Sequence, residues 1–202
     1  MNMFSTNTIS NENDFNKSFE GCKVAFLLST GFDEATFLTA QKYIRRSKGL
    51  IKLVSPDSGL VTSWQGSSWG HNYAVDIPIN QALSADFSMC VIPGGSRSAD
   101  KLALSAHTKR FVNGFLASSK PLVSFNDANR LLSRLDLEER FLPETTHELS
   151  GEVSGTNDNH NDAVVRKGTL IQVSSTDESA LSDELAKALE MAHNCLYDNQ
   201  AA

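Results

Sequence analysis

Pro121-Leu122-Val123-Ser124-Phe125-Asn126-Asp127-Ala128-Asn129-Arg130-Leu131-Leu132 is the stretch that decides the fold. A short apolar run, Pro121 to Val123, enters a polar turn, Ser124 to Asn129, and the apolar pair Leu131-Leu132 follows. That is the pattern of a buried strand ending sharply in a helix. In α/β folds such a junction is where a nucleophile is often displayed. The residue displayed here is Asn126, and a carboxamide does not attack a carbonyl. The sequence predicts the geometry of a reactive site without its reactive atom.

Upstream, Lys23-Val24-Ala25-Phe26-Leu27-Leu28 reads as a fully buried strand. Gly31 follows, and Asp33 and Glu34 carry negative charge into the first turn of a helix, where the dipole favours it. Phe37, Ala40, Tyr43 and Ile44 line one face of that helix, with Gly49 as its stop signal. Leu50 to Val54 is the next strand, and Pro56-Asp57-Ser58-Gly59 a turn. Leu60–Ser63 and Ala74–Ile77 read as short strands around a loop holding Trp64, Gly66, Trp69, Gly70 and His71. Phe87 to Ile92 is a buried strand that runs into Pro93-Gly94-Gly95. Ala106 to Ser118 is a helix with Phe111, Val112, Phe115 and Leu116 on one face.

Downstream, Glu138 to Asp162 is polar and irregular. Ala163–Val165 and Thr169–Val173 read as a hairpin across Arg166-Lys167-Gly168. A last helix carries Leu181, Leu185, Ala188, Leu189, Ala192 and Leu196 on one stripe, capped by Ser179 or Ser182. Strands alternating with helices predict a flavodoxin-like, doubly wound α/β fold. Its sheet is mostly parallel, with helices on both faces and a C-terminal antiparallel hairpin.

The 202 residues suit one domain. Residues 1–20, rich in Asn, Ser and Thr, are expected to form a disordered tail, and 21–198 the domain. A formal charge of -6 argues against nucleic acid or an anionic membrane as partner. No apolar run approaches bilayer length, and the start lacks a secretory pattern, so a cytoplasmic location is expected. Cys22, Cys90 and Cys195 are far apart, with neither metal-ligand spacing nor a disulfide framework.

This order of segments resembles the ThiJ/PfpI superfamily, also written DJ-one/PfpI, which is related to class I glutamine amidotransferases. Four motifs carry the likeness, from about residue 23 to 192: Gly31-Phe32-Asp33-Glu34, Val54-Ser55-Pro56-Asp57-Ser58-Gly59, Val91-Ile92-Pro93-Gly94-Gly95, and Gly168-Thr169-Leu170-Ile171. In catalytic members the turn after the central strand holds a cysteine. The matching triplet here is Asn126-Asp127-Ala128. The family's helix-borne acid falls at Thr36, or at Asp33 or Glu34 if the register slips by a turn. The resemblance thus implies the fold and a degenerate site at Asn126, Asp127 and Thr36. The altered turn is also similar to that in the C-terminal domain of large-subunit catalases, which lacks the cysteine. The chain is too short for a haem core, so peroxide breakdown is not expected.

The resemblance further implies a homodimer with a stress-related role, and a small-molecule site formed by Gly94, Gly95, Asn126 and Glu34. Asn126-Asp127 reads first as a capping pair and second as a polar pocket. Gly94 and Gly95 read as a tight turn or as an oxyanion-binding pair. The two tryptophans of the Trp64–His71 loop pack across an interface, close over a pocket, or simply cover the sheet edge. Asp158-Asn159-His160-Asn161-Asp162 matches no standard metal spacing. No cofactor and no metal are expected. The alternative is an enzyme independent of the family cysteine, acting through Ser124, Asp127 or another cysteine as a small hydrolase, deglycase or amidotransferase.

Overall fold

Five apolar residues in a row, Val24 to Leu28, are fully buried. Such a run is stable as a strand only where both sheet faces are covered. The computed structural model, which describes residues 19–137, 163–175 and 177–198, places it so. β1 (Lys23–Leu27) lies inside a seven-stranded sheet. After it come β2 (Phe32–Asp33), α1 (Glu34–Arg46), β3 (Leu50–Ser55), β4 (Leu60–Trp64), β5 (Trp69–Ala74) and β6 (Ile77–Pro78). Then follow β7 (Met89–Ile92), α2 (Ser96–Ala103), α3 (Ala106–Ala117), β8 (Leu122–Phe125), α4 (Leu131–Arg134), β9 (Ala163–Lys167), β10 (Leu170–Ser174) and α5 (Glu178–Asp198).

The strand order is β6-β3-β1-β7-β8-β10-β9. Every pairing in this sheet is parallel except β10 with β9, the predicted hairpin. Alternate residues of β1 feed two cores. Val24, Phe26 and Leu28 join Phe37, Ala40 and Ile44 of α1 and Leu185 and Leu189 of α5. Ala25 and Leu27 join Phe111, Val112 and Phe115 of α3 with Leu131 and Leu132 of α4. Each large side chain so buried contributes about 1.5–3 kcal/mol. The doubly wound α/β fold is the one the sequence predicts.

Several local expectations change. Trp64, Trp69, Gly70 and His71 are not in a loop: β4 and β5 form an antiparallel hairpin, and β4 pairs in parallel with β2 in a second, three-stranded sheet. α2 fills a segment with no predicted helix. α1 closes at Ser47 and Lys48, the latter at φ 62°, ahead of the expected stop at Gly49. Asp177, not Ser179 or Ser182, caps α5: its carboxylate accepts from the Ser179 N–H at 3.1 Å and hydroxyl at 2.7 Å. Phe19, inside the expected tail, is buried, and its N–H donates to the Ser47 carbonyl at 2.8 Å. Residues 1–18 and the polar segment with the Asp158–Asp162 cluster lie outside the described residues.

Candidate functional site

From β1 the chain crosses to β3 on one side of the sheet, then returns past β1 to β7 on the other. The strand order therefore reverses between β1 and β7, and ligands of open α/β sheets bind beyond the carboxyl ends of the strands at such a point. Here that region holds the loop Leu28–Asp33 and the loop Pro93–Gly95. The two are pressed together: the Asp33 N–H donates to the Gly94 carbonyl at 2.8 Å. Gly95 sits at φ 106°, and a β-carbon on it would lie 2.5 Å from the Gly31 carbonyl oxygen and 2.7 Å from the Asp33 nitrogen. Only glycine fits this contact.

The turn after β8 completes the region. A β-carbon on Gly94 would lie 3.4 Å from the Asn126 Cβ, so the Gly-Gly loop and the elbow are neighbours. Asn126 takes φ 51°, the left-handed conformation that Asn tolerates better than most residues. Its Oδ1 accepts the Ser175 N–H at 3.0 Å. The capping expectation for Asn126-Asp127 is thereby corrected: neither side chain caps the 3-10 turn Asn126–Arg130, because the carboxamide reaches across to the end of β10. Asp127 is exposed. Ser124 is fully buried and donates its hydroxyl to Asn129 Oδ1 at 2.8 Å, while Asn129 Nδ2 donates to the Val173 carbonyl at 3.1 Å. Ser124 thus ties the strand end to the turn that follows it.

The first turn of α1 separates three roles that the sequence left open. Asp33 caps the helix, accepting the Thr36 N–H at 2.7 Å. Thr36 is buried. Glu34 is also buried, and the hairpin surrounds its carboxylate. Gln65 Nε2 donates to Oε2; the Tyr73 hydroxyl and His71 Nδ1 each lie 2.7 Å from Oε1. Burial alone would raise this pKa, but the hydrogen bonds from Gln65, Tyr73, His71 and Ser63 outweigh it and hold the carboxyl down at about 2. The Tyr73 phenol responds in the opposite sense, pushed up to about 12 by burial and by the Glu34 charge. Room for the carboxylate depends on Gly70, where a β-carbon would lie 2.8 Å from Oε2.

The Arg97 guanidinium lies 3.8 Å from the Trp64 ring centre and 5.7 Å from that of Trp69. The two indoles meet edge to face at 5.2 Å. The expected ligand positions thus form two groups, Gly94, Gly95 and Asn126 at the elbow, and Glu34 under the hairpin. Sequence reasoning missed His71, Gln65, Tyr73 and Arg97 as partners. One signal was available: helical spacing puts Glu34 on the same stripe as Phe37, Ala40 and Ile44, where an acid needs a partner.

No cysteine is at the elbow. Cys90 is buried mid-strand in β7, where burial pushes its thiol far up. Cys22 is buried, its thiol also raised by burial against an opposing hydrogen bond from Ser88. Cys195 is exposed on α5. Among the described residues no three His, Cys, Asp or Glu side chains cluster as metal ligands, and no helix is long and apolar enough to cross a membrane.

A reversed strand order, with a Gly-Gly loop and a left-handed elbow at the switch point, defines a flavodoxin-like α/β protein. The chain belongs to the DJ-1/PfpI family, whose profile matches residues 22–188. Among solved structures it is similar to Schizosaccharomyces pombe DJ-1, at 16% identity and TM-score 0.61, covering 89% of this chain and 99% of that one. It is also similar to a DJ-1 superfamily protein from Salmonella typhimurium, at 20% identity and TM-score 0.60, covering 89% and 98%. A two-domain protein of Anabaena variabilis with DJ-1/ThiJ/PfpI-like and ferritin-like domains matches at 17% identity and TM-score 0.65; the match covers 84% of this chain and 48% of that longer protein. These identities speak for the fold alone. No curated protein sequence matches.

Proposed function

We propose that this chain is a DJ-1/PfpI protein with a degenerate nucleophile site, binding a small molecule at the elbow without thiol chemistry. The observation that carries the reading is Asn126, which occupies the left-handed position after β8 with its carboxamide engaged by Ser175. A carboxamide neither adds to a carbonyl nor follows the oxidation ladder of cysteine. Gly94 and Gly95, backed by Asp33, supply the polar backbone wall that a ligand would meet. A cytoplasmic homodimer with a stress-related role belongs to the same reading, as does a single domain over residues 21–198.

Turnover of amides, esters or glyoxal adducts decides the matter at the elbow. The expected result is that Asn126→Gly changes no turnover, while a small-molecule thermal-shift screen finds ligands that this variant binds more weakly. An activity abolished by the same substitution would remove the proposal. The second reading, an enzyme independent of the family cysteine, is favoured by one observation, the pairing of Glu34 with His71.

A further inference from the structure

We propose that His71, oriented by Glu34, is a general base, giving this chain a proton-transfer centre that the elbow does not provide. The carboxylate fixes the tautomer of the ring. Glu34 is ionised at any pH well above 2, and an ionised carboxylate only accepts hydrogen bonds. The 2.7 Å contact between Glu34 Oε1 and His71 Nδ1 therefore places the proton on Nδ1. In the neutral imidazole this leaves the lone pair on Nε2. The His71 side chain is 76% exposed while that of Glu34 is 5% exposed, so a buried anchor holds a ring whose far edge faces solvent. Tyr73 and Gln65 hold the anchor in turn, each donating to Glu34. A base whose orientation is fixed by a third group is the arrangement that general-base catalysis requires.

The hairpin also bounds the substrate class. β5 carries an extra residue opposite Ser63, between the pairs Thr62–Asn72 and Trp64–Trp69. Gly70 and His71 therefore both turn toward Glu34, and the alternation that would set Trp69 beside His71 is broken. Arg97, seated against Trp64 and Trp69, belongs to the indoles rather than to the imidazole. The exposed ring edge fits a small, uncharged activated ester. His71 Nε2 takes a proton from water, and the hydroxide adds to the acyl carbon. The bond from acyl carbon to leaving oxygen breaks, and the proton returns from Nε2 to that oxygen. Water is the only co-reactant.

The test follows hydrolysis of p-nitrophenyl acetate. The unaltered protein is expected to hydrolyse it well above the buffer rate. His71→Asn keeps a donor for Glu34 without a base, and should lower kcat by roughly 10²-fold. Glu34→Gln should lower kcat with KM nearly unchanged, and nitrogen NMR should show His71 passing from the single Nδ1–H tautomer to a mixture. Arg97→Ala, which disturbs only the indole contacts, should leave the hydrolysis unchanged. Melting curves of each variant report the fold separately. Hydrolysis equal in the protein and in His71→Asn, or an Nε2–H tautomer in the unaltered protein, would overturn the proposal. Either outcome leaves ligand binding at Asn126 untouched, because no elbow residue enters the test.

Discussion

Asn126 and Glu34 each hold an unusual state through a few hydrogen bonds, one of backbone and one of charge. At φ 51° a residue with a β-carbon pays about 1–2 kcal/mol, and the carboxamide offsets part of that through the Ser175 N–H. Asn126→Val should therefore destabilise the fold by about 2–3 kcal/mol in urea denaturation, combining the backbone strain of a β-branched residue with the lost bond. Asn126→Gly loses the bond but gains the backbone, and should stay within about 1 kcal/mol. Equal melting of the two would mean that the elbow is not strained. Glu34 governs the acid limb. Its folded pKa, about 2, lies below the usual glutamate value of about 4.3, so its contribution to stability is full above the latter and drains away as pH falls toward 2. In Glu34→Gln the melting temperature should be lower at neutral pH and should fall less steeply between about pH 4.3 and 2. Parallel curves for the two proteins would show that the hairpin does not hold this carboxylate ionised.

The elements supply the rigidity those residues need, and the tightest joint is between the Pro93–Gly95 loop and the start of α1. Gly95→Ala would drive a β-carbon into three backbone atoms of Gly31, Phe32 and Asp33, at 2.5–2.8 Å, none of which can swing aside. A loss of at least about 2–4 kcal/mol is expected from strain and overpacking together. A change under 1 kcal/mol would show that the two loops part easily. Only half of this joint was legible in the sequence: Pro93-Gly94-Gly95 after an apolar run reads as a tight turn or an oxyanion-binding pair, while its contact with the distant Gly31–Asp33 backbone leaves no local signal. β1, α1, α3, the C-terminal hairpin and the stripe of α5 were legible, because each carries a clear apolar period. α2 was not: Ser96–Ala103 buries little more than Ser98, Ala99 and Leu102, and so short a polar helix leaves no period to read. β5 was missed for a related reason. Trp69-Gly70-His71-Asn72-Tyr73-Ala74 is exposed along most of its length, and no apolar alternation marks it as a strand. The Glu34–His71 pair, 37 residues apart in sequence, depends on that unseen hairpin.

Over the whole molecule, the sheet decides which thiols can take part in chemistry at all. Cys90 lies at the centre of the parallel sheet, on β7 between β1 and β8, with core on both faces. Cys22 is sealed at the foot of β1, where its sulfur lies 3.9 Å from His193 Nδ1 and Phe19 closes over the same histidine ring. Both must wait for an opening of the fold, whereas Cys195 is exposed on the surface of α5. Thiol labelling under native conditions should therefore separate one fast site from two slow ones. Cys90 should lag Cys195 by on the order of 10³-fold or more, since central strands open only with global unfolding. Its labelling rate should rise with denaturant along the slope of equilibrium unfolding, because the exposing event is the unfolding of the sheet itself. Cys22, at the strand's edge, should follow a shallower slope that reports local release of Phe19 and the end of α5. Mass spectrometry of partially labelled protein assigns each rate to its residue. Labelling of Cys22 or Cys90 as fast as that of Cys195 would mean that a core thiol reaches solvent in the native state. The degenerate-site reading would then fail, because sulfur chemistry would be available after all without a cysteine at Asn126.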